Sequence, residues 1–209
     1  MRRARRSRAA SLLFLMLPVL VLPALVGADP RTWAVTVLGS ADDSRFLAVT
    51  EAIEYWNEQL VSVNSSLRLG PIGRSDERIA DDVLRAVSDA ALDRRRIPPL
   101  PSRLREMTGD LLVVLSGTDL ISVGFPPGAV ARQGIAIIRT ADGPPLSLPN
   151  VARNLIAHEL GHVLGLRHNS DPATLMCGRP ATCRPSLFRS DTKRFFPLTD
   201  ADRQHLAER

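Results

Sequence analysis

Cysteine is nearly missing from this chain of 209 residues, which has only Cys177 and Cys183. A structural zinc site closed by four protein ligands would want both as thiolates beside a second His/Cys cluster, and no such cluster exists, so a zinc-finger module is excluded. A membrane-spanning run is missing too: the apolar stretch from Leu12 to Val26 is interrupted by Pro18 and Pro23 and falls short of the ~20 residues a spanning helix needs. Charge of one sign is also lacking once the N-terminus is set apart. The formal +5 comes from Arg2, Arg3, Arg5, Arg6 and Arg8, in a segment without any acid; removing those five from the 27 Lys+Arg leaves 22 against 22 Asp+Glu. A neutral remainder gives no electrostatic case for nucleic acid or an anionic membrane surface as a partner. Nothing resembles a repeat or a long low-complexity linker, so one domain with a real core is expected over residues 29–209.

What is present at the N-terminus reads as a secretory signal peptide over residues 1–28. Arginines precede the apolar run, and Val26-Gly27-Ala28 offers small residues for cleavage after Ala28. The competing readings are a retained anchor and, from the paired arginines, a twin-arginine export signal. The expected location is therefore secreted or extracytoplasmic, with no stable membrane span after cleavage. Export would carry Cys177 and Cys183 into an oxidising compartment, where they can close a short disulfide loop; two unpaired thiols are the alternative.

The pattern along the chain predicts an α+β fold with an α/β-type N-terminal half. Trp33 to Leu38 is a short β-rich run, and from Ser44 the residues Phe46, Val49, Ile53, Trp56 and Leu60 recur at steps of three and four, as an amphipathic helix requires. A strand is expected over Ser65–Leu69, broken by Gly70-Pro71-Ile72-Gly73. A helix capped by Ser75 follows, with Ile79, Val83, Val87 and Ala90 inward. Residues 93–105, basic and proline-bearing, read as a solvated connection. Leu111–Leu115 and Gly134–Ile138 are wholly apolar, the pattern of strands covered on both faces, with loop expected over Gly124–Gly128 between them. Thr199-Asp200-Ala201-Asp202 starts a last helix running to about Glu208, with Leu206 inward. Strands stop near residue 150, so a mixed sheet should be followed by a helical and irregular half, with the site between them.

That site is visible in the placement of histidine. Three of the four histidines fall in the eleven residues His158-Glu159-Leu160-Gly161-His162-Val163-Leu164-Gly165-Leu166-Arg167-His168. On a helix, His158 and His162 lie one turn apart on the same face and can reach one ion, with Glu159 beside them. Gly165 can take a left-handed conformation as the helix exit, swinging His168 round as a third nitrogen ligand. Three neutral imidazoles with a fourth position left to water are the ligands of a catalytic zinc ion. Water on such an ion is acidic enough to supply hydroxide near neutral pH. Glu159 would take its proton as general base and pass it to a leaving amine, so that a protein or peptide substrate is hydrolysed. His205, alone in the last helix, reads as a surface residue.

At these residues the chain resembles the metzincin zinc metalloendopeptidases, whose motif His-Glu-x-x-His-x-x-Gly-x-x-His is matched in full by positions 158–168. Asp171-Pro172-Ala173-Thr174-Leu175-Met176 looks like the matrixin version of the methionine turn that names the group, which implies Met176 as the apolar floor beneath the metal. The resemblance implies a mixed sheet, a zinc helix, and a substrate lying along the sheet's edge strand near residues 133–139, its primed side near the segment after Met176. Two positions depart from the matrixin pattern: Asn169 stands where serine or threonine is usual, and Cys177 where tyrosine is common. No cysteine lies upstream of the metal helix to serve as a cysteine switch, and helix 75–93 with its connection looks like an insertion. Two alternatives stay open. One is a thermolysin-like site whose third ligand is a glutamate, for which Glu208 is the only glutamate after Glu159; the other is a secreted zinc-binding protein of the same fold without peptidase activity. The sequence assigns no calcium requirement, oligomeric state or peptide preference.

Overall fold

The computed structural model describes residues 30–143, 147–178, 183 and 193–209, so the signal peptide expected over 1–28 lies outside the described residues. The elements follow in the order β1 (Arg31–Leu38), α1 (Arg45–Ser62), β2 (Leu67–Ser75), α2 (Asp81–Leu92), α3 (Ser102–Glu106), β3 (Leu111–Leu115), β4 (Val123–Phe125), β5 (Gly134–Ile138), α4 (Pro149–Val163) and α5 (Asp200–Ala207). They form a mixed α/β architecture on a five-stranded sheet of order β2-β1-β3-β5-β4. β1 pairs in parallel with β2 and β3, β3 in parallel with β5, and β4 alone runs antiparallel, against β5. No helix among the described residues is long and apolar enough to cross a membrane.

Helices cover both faces, which is why β3 and β5 are apolar throughout. Alternate residues of β3 point to opposite faces: Leu111, Val113 and Leu115 join α1 and α4, while Leu112 and Val114 join α2 and α3. On the first face, Trp56 of α1 is fully buried and its indole Nε1 donates to the carbonyl of Ala157 in α4 at 2.9 Å, fixing one helix against the other one residue before His158. On the second face, the connection expected to be solvated does more than connect. Its arginines are exposed, but Leu100 and Leu104 are buried with Leu84 and Val87 against the sheet. The apparent insertion is the cover for that face.

Three boundaries differ from expectation. β2 continues through Gly70–Gly73 to Ser75: the register slips between Trp33↔Leu69 and Val35↔Ile72, accommodating a cis Gly70–Pro71 bond and the positive φ of Gly70. An edge strand tolerates proline because it has an outward side that needs no ladder donor. Ser75 therefore ends a strand instead of capping a helix; α2 starts at Asp81 and buries Leu84, Val87, Ser88 and Ala90, leaving Val83 half-buried and Ile79 ahead of the helix. Finally, Gly124 and Phe125, expected as loop, pair with β5 as part of the outermost strand β4 (Val123–Phe125), so β5 is internal and the edge near the metal helix is β4. Three residues carry too little pattern to announce a strand; pairing with β5 makes it one.

Candidate metal centre

The second half of α4 carries His158, Glu159 and His162. Pro149 occupies the first turn, where its missing N–H costs nothing. The helix ends in a Schellman turn: Leu166 N–H donates to Gly161 O and Gly165 N–H to His162 O, both at 2.9 Å, with Gly165 at φ +84°. This exit returns the chain so that His168 faces the helix. It also orients the second histidine, because Leu166 O accepts from His162 Nδ1 at 2.9 Å. Nδ1 of His158 donates to Leu175 O at 2.7 Å. A ring nitrogen that donates to a carbonyl carries the proton, so in both residues Nε2 keeps the lone pair a metal needs.

The three Nε2 atoms converge. They are 3.2 Å apart for His158 and His162, 3.1 Å for His158 and His168, and 3.0 Å for His162 and His168. Zn–N bonds of ~2.0–2.1 Å at tetrahedral angles set nitrogens about 3.3 Å apart, so the donor set fits zinc in chemistry and in spacing. His158 is buried, His162 half-buried and His168 exposed, which gives the cluster a closed rear and an open front. Burial holds the His162 imidazole below its ordinary pKa, against the opposing hydrogen bond to Leu166 O, and so favours the neutral, ligating form. Glu159 is buried beside them. Among the described residues the histidines are the group able to share one ion; Glu208 lies exposed beyond α5 and is not brought to them, and neither is His205.

Glycines set the walls, and here sequence reasoning missed residues that matter. A Cβ on Gly161, inside the motif, would strike Sδ of the fully buried Met176 and crowd Trp56, so α4 and Met176 meet at a residue without a side chain. A Cβ on Gly178 would overlap the His168 ring, and one on Gly124 of β4 would overlap the Glu159 carbonyl. The edge strand thus touches the metal helix backbone to backbone. No spacing rule marks Gly124 or Gly178.

Asn169 explains its own departure from the serine or threonine pattern. Its Oδ1 accepts from Thr174 Oγ1 at 2.9 Å and from Asp171 N–H at 3.0 Å, while its backbone exchanges bonds with Met176 and Gly178. Its Nδ2 reaches Asp202 Oδ2 at 3.4 Å, in the Thr199–Asp202 capping box that starts α5. Cys177 and Cys183 are joined in a disulfide directly after Met176.

No protein-family model matches the chain, and no curated protein matches it in sequence. Among solved structures it is similar to the crystal structure of archaemetzincin from Methanopyrus kandleri, with a TM-score of 0.50 and 16% identity over 88% of this chain and 97% of that chain. The fold is archaemetzincin-like. At that identity the likeness is one of architecture, and the chemistry rests on the residues just described.

Proposed function

We propose that the chain is an exported zinc metalloendopeptidase of metzincin type, with His158, His162 and His168 as metal ligands. The observation that carries this reading is the convergence of three Nε2 atoms within 3.0–3.2 Å, two of them with their Nδ1 protons fixed on backbone carbonyls. Zinc bound there supplies a Lewis acid that acidifies water and polarises a substrate carbonyl. Glu159, next to the first ligand, would take the proton of the attacking water as the C–O bond forms and deliver it to the leaving amine as the C–N bond then breaks. Among the described residues no strand pairs with the outer side of β4, which could take an extended peptide as one more strand, and the contact of Gly124 with the Glu159 carbonyl supports β4 as the strand that aligns it. Met176 packs beneath the ligands without coordinating. Export is supported by the leader, and the disulfide is at home in the same oxidising compartment. The finer, matrixin-like assignment rests on Asp171–Met176 alone.

The purified 29–209 chain tests the reading. It should bind one equivalent of zinc and hydrolyse an unfolded protein, and Glu159→Gln should keep the zinc while losing about 10²–10⁴-fold in rate. Zinc uptake without turnover on a diverse peptide library would instead identify a zinc-binding protein of this fold, and unchanged activity in Glu159→Gln would remove the mechanism.

A further inference from the structure

Asn150, Asn154, His158 and His162 follow one another along α4 in steps of four, so that two buried asparagines continue the line of the metal ligands toward the helix N-terminus. Neither amide is idle. Asn154 Oδ1 accepts from Phe196 N–H at 2.9 Å, and its Nδ2 donates to Arg194 O at 2.7 Å and to Asn150 O at 2.9 Å. Asn150 Oδ1 accepts from Arg194 N–H at 3.0 Å. Segment 193–198 belongs to no strand or helix, and these side-chain amides do for it what a neighbouring strand would do: together they pair the N–H and C=O of Arg194 and the N–H of Phe196. Tyr55 holds the other side. Its hydroxyl donates to Phe196 O at 3.0 Å and its ring stacks on Phe195 at 4.5 Å.

The segment then reaches the metal centre in two bonds. Pro197 O accepts from Leu175 N–H at 2.9 Å, and Leu175 O accepts from His158 Nδ1 at 2.7 Å. The Leu175 residue is therefore held at its N–H by the segment and holds the first ligand with its carbonyl. Groups that orient a ligating imidazole set its tautomer and direction, and through these its affinity for metal.

We infer that Asn154, acting through segment 193–198 and Leu175, is a positioning residue for His158. The inference rests on the reading of His158 as a zinc ligand, but its test reads zinc binding and needs no peptide hydrolysis. Asn154→Leu removes both amide functions at similar size. Zinc affinity of the folded variant, measured by competition with a chromogenic chelator, should fall on the order of tenfold. The thermal midpoint of the zinc-loaded protein should fall further than that of the metal-free protein, and the visible spectrum of the cobalt-substituted form should shift. Asn154→Asp keeps the acceptor for Phe196 and should lie between. Tyr55→Phe keeps the stacked ring, loses only the hydroxyl, and should weaken zinc binding by less.

A purely structural role for Asn154 would lower both midpoints equally and leave the affinity and cobalt spectrum unchanged; that result overturns the inference. Should Asn154→Leu not fold, Tyr55→Phe decides, and unchanged zinc affinity there overturns it. A wild-type chain that binds zinc but cleaves nothing defeats the peptidase reading while leaving this one standing. A wild-type chain that takes up no zinc defeats both.

Discussion

The two halves of this molecule are held together by different means. In the sheet half, strands pair backbone to backbone and bury apolar side chains on both faces, with β3 and β5 fully enclosed. Among the described residues beyond α4, the backbone's own bonds are supplemented by side chains: Asn150 and Asn154 grip segment 193–198, Asn169 and Thr174 tie the loop after His168 to the turn before Met176, and Tyr55 reaches across from α1. The first half supplies rigidity and the second supplies aim. Stability and metal affinity should therefore be separable by substitution.

The largest effect on stability belongs to the sheet. Leu112, fully buried against α2 and α3, loses its packing in Leu112→Ala. Denaturant titration should show a loss of about 2–5 kcal/mol. The zinc stoichiometry and affinity of the remaining folded protein should be unchanged, since the carbonyls that orient His158 and His162 belong to Leu175 and Leu166, away from that residue's face. A matching loss of zinc affinity would break the distinction.

Gly124→Ala tests the contact of the sheet's edge strand with the metal helix, where backbone meets backbone with no side chain between them. The added methyl meets the Glu159 carbonyl and crowds His162 Cβ, and neither is the far end of a flexible group. Overpacking of this kind costs about 1–3 kcal/mol, and here stability and zinc affinity should fall together. On the proposed mechanism, activity should fall more than either, because β4 and Glu159 move apart. A variant that melts lower yet keeps full activity would show that β4 does not align the substrate.

How far the sequence discloses each half follows from the same contrast. The metal helix, its glycine exit and the α5 capping box were legible because their signals are local, lying within a few residues of where they act. β3 and β5 were legible because enclosure on both faces leaves a continuous apolar run. β4 was not, since three residues become a strand only by pairing with β5, and the continuation of β2 past Pro71 depends on its place at the edge. Segment 193–198 has no periodicity at all; its partners include two asparagines some forty residues earlier, whose four-residue spacing is visible but whose role is not.

Asn169→Ala is a smaller perturbation within the aiming half. It removes the acceptor for Thr174 Oγ1 and Asp171 N–H and the contact with Asp202, while the backbone bonds to Met176 and Gly178 survive. Thermal unfolding should show a loss of about 0.5–1.5 kcal/mol. The α5 cap should persist, because Thr199 and Asp202 satisfy one another. Sharpening comes from the zinc-loaded protein, where the drop should be the larger of the two.

The smallest effect is one of pH, and it too divides the halves. His162 sits below its ordinary value of 6.5 because burial disfavours the imidazolium, with the Leu166 carbonyl bond opposing. In the metal-free protein the unfolded chain therefore takes up this proton first as pH falls. Stability contributed by the neutral imidazole is intact above about 6.5 and declines below it, levelling off only beneath the lowered folded value. Denaturation midpoints measured in chelator from about pH 8 to pH 5 should trace that decline. His162→Gln should flatten it, whereas Leu112→Ala should lower the whole curve without changing its slope, because the change in the sheet carries no proton. Zinc-loaded protein should decline more steeply over the same range, since protons compete with the metal for the ligand nitrogens.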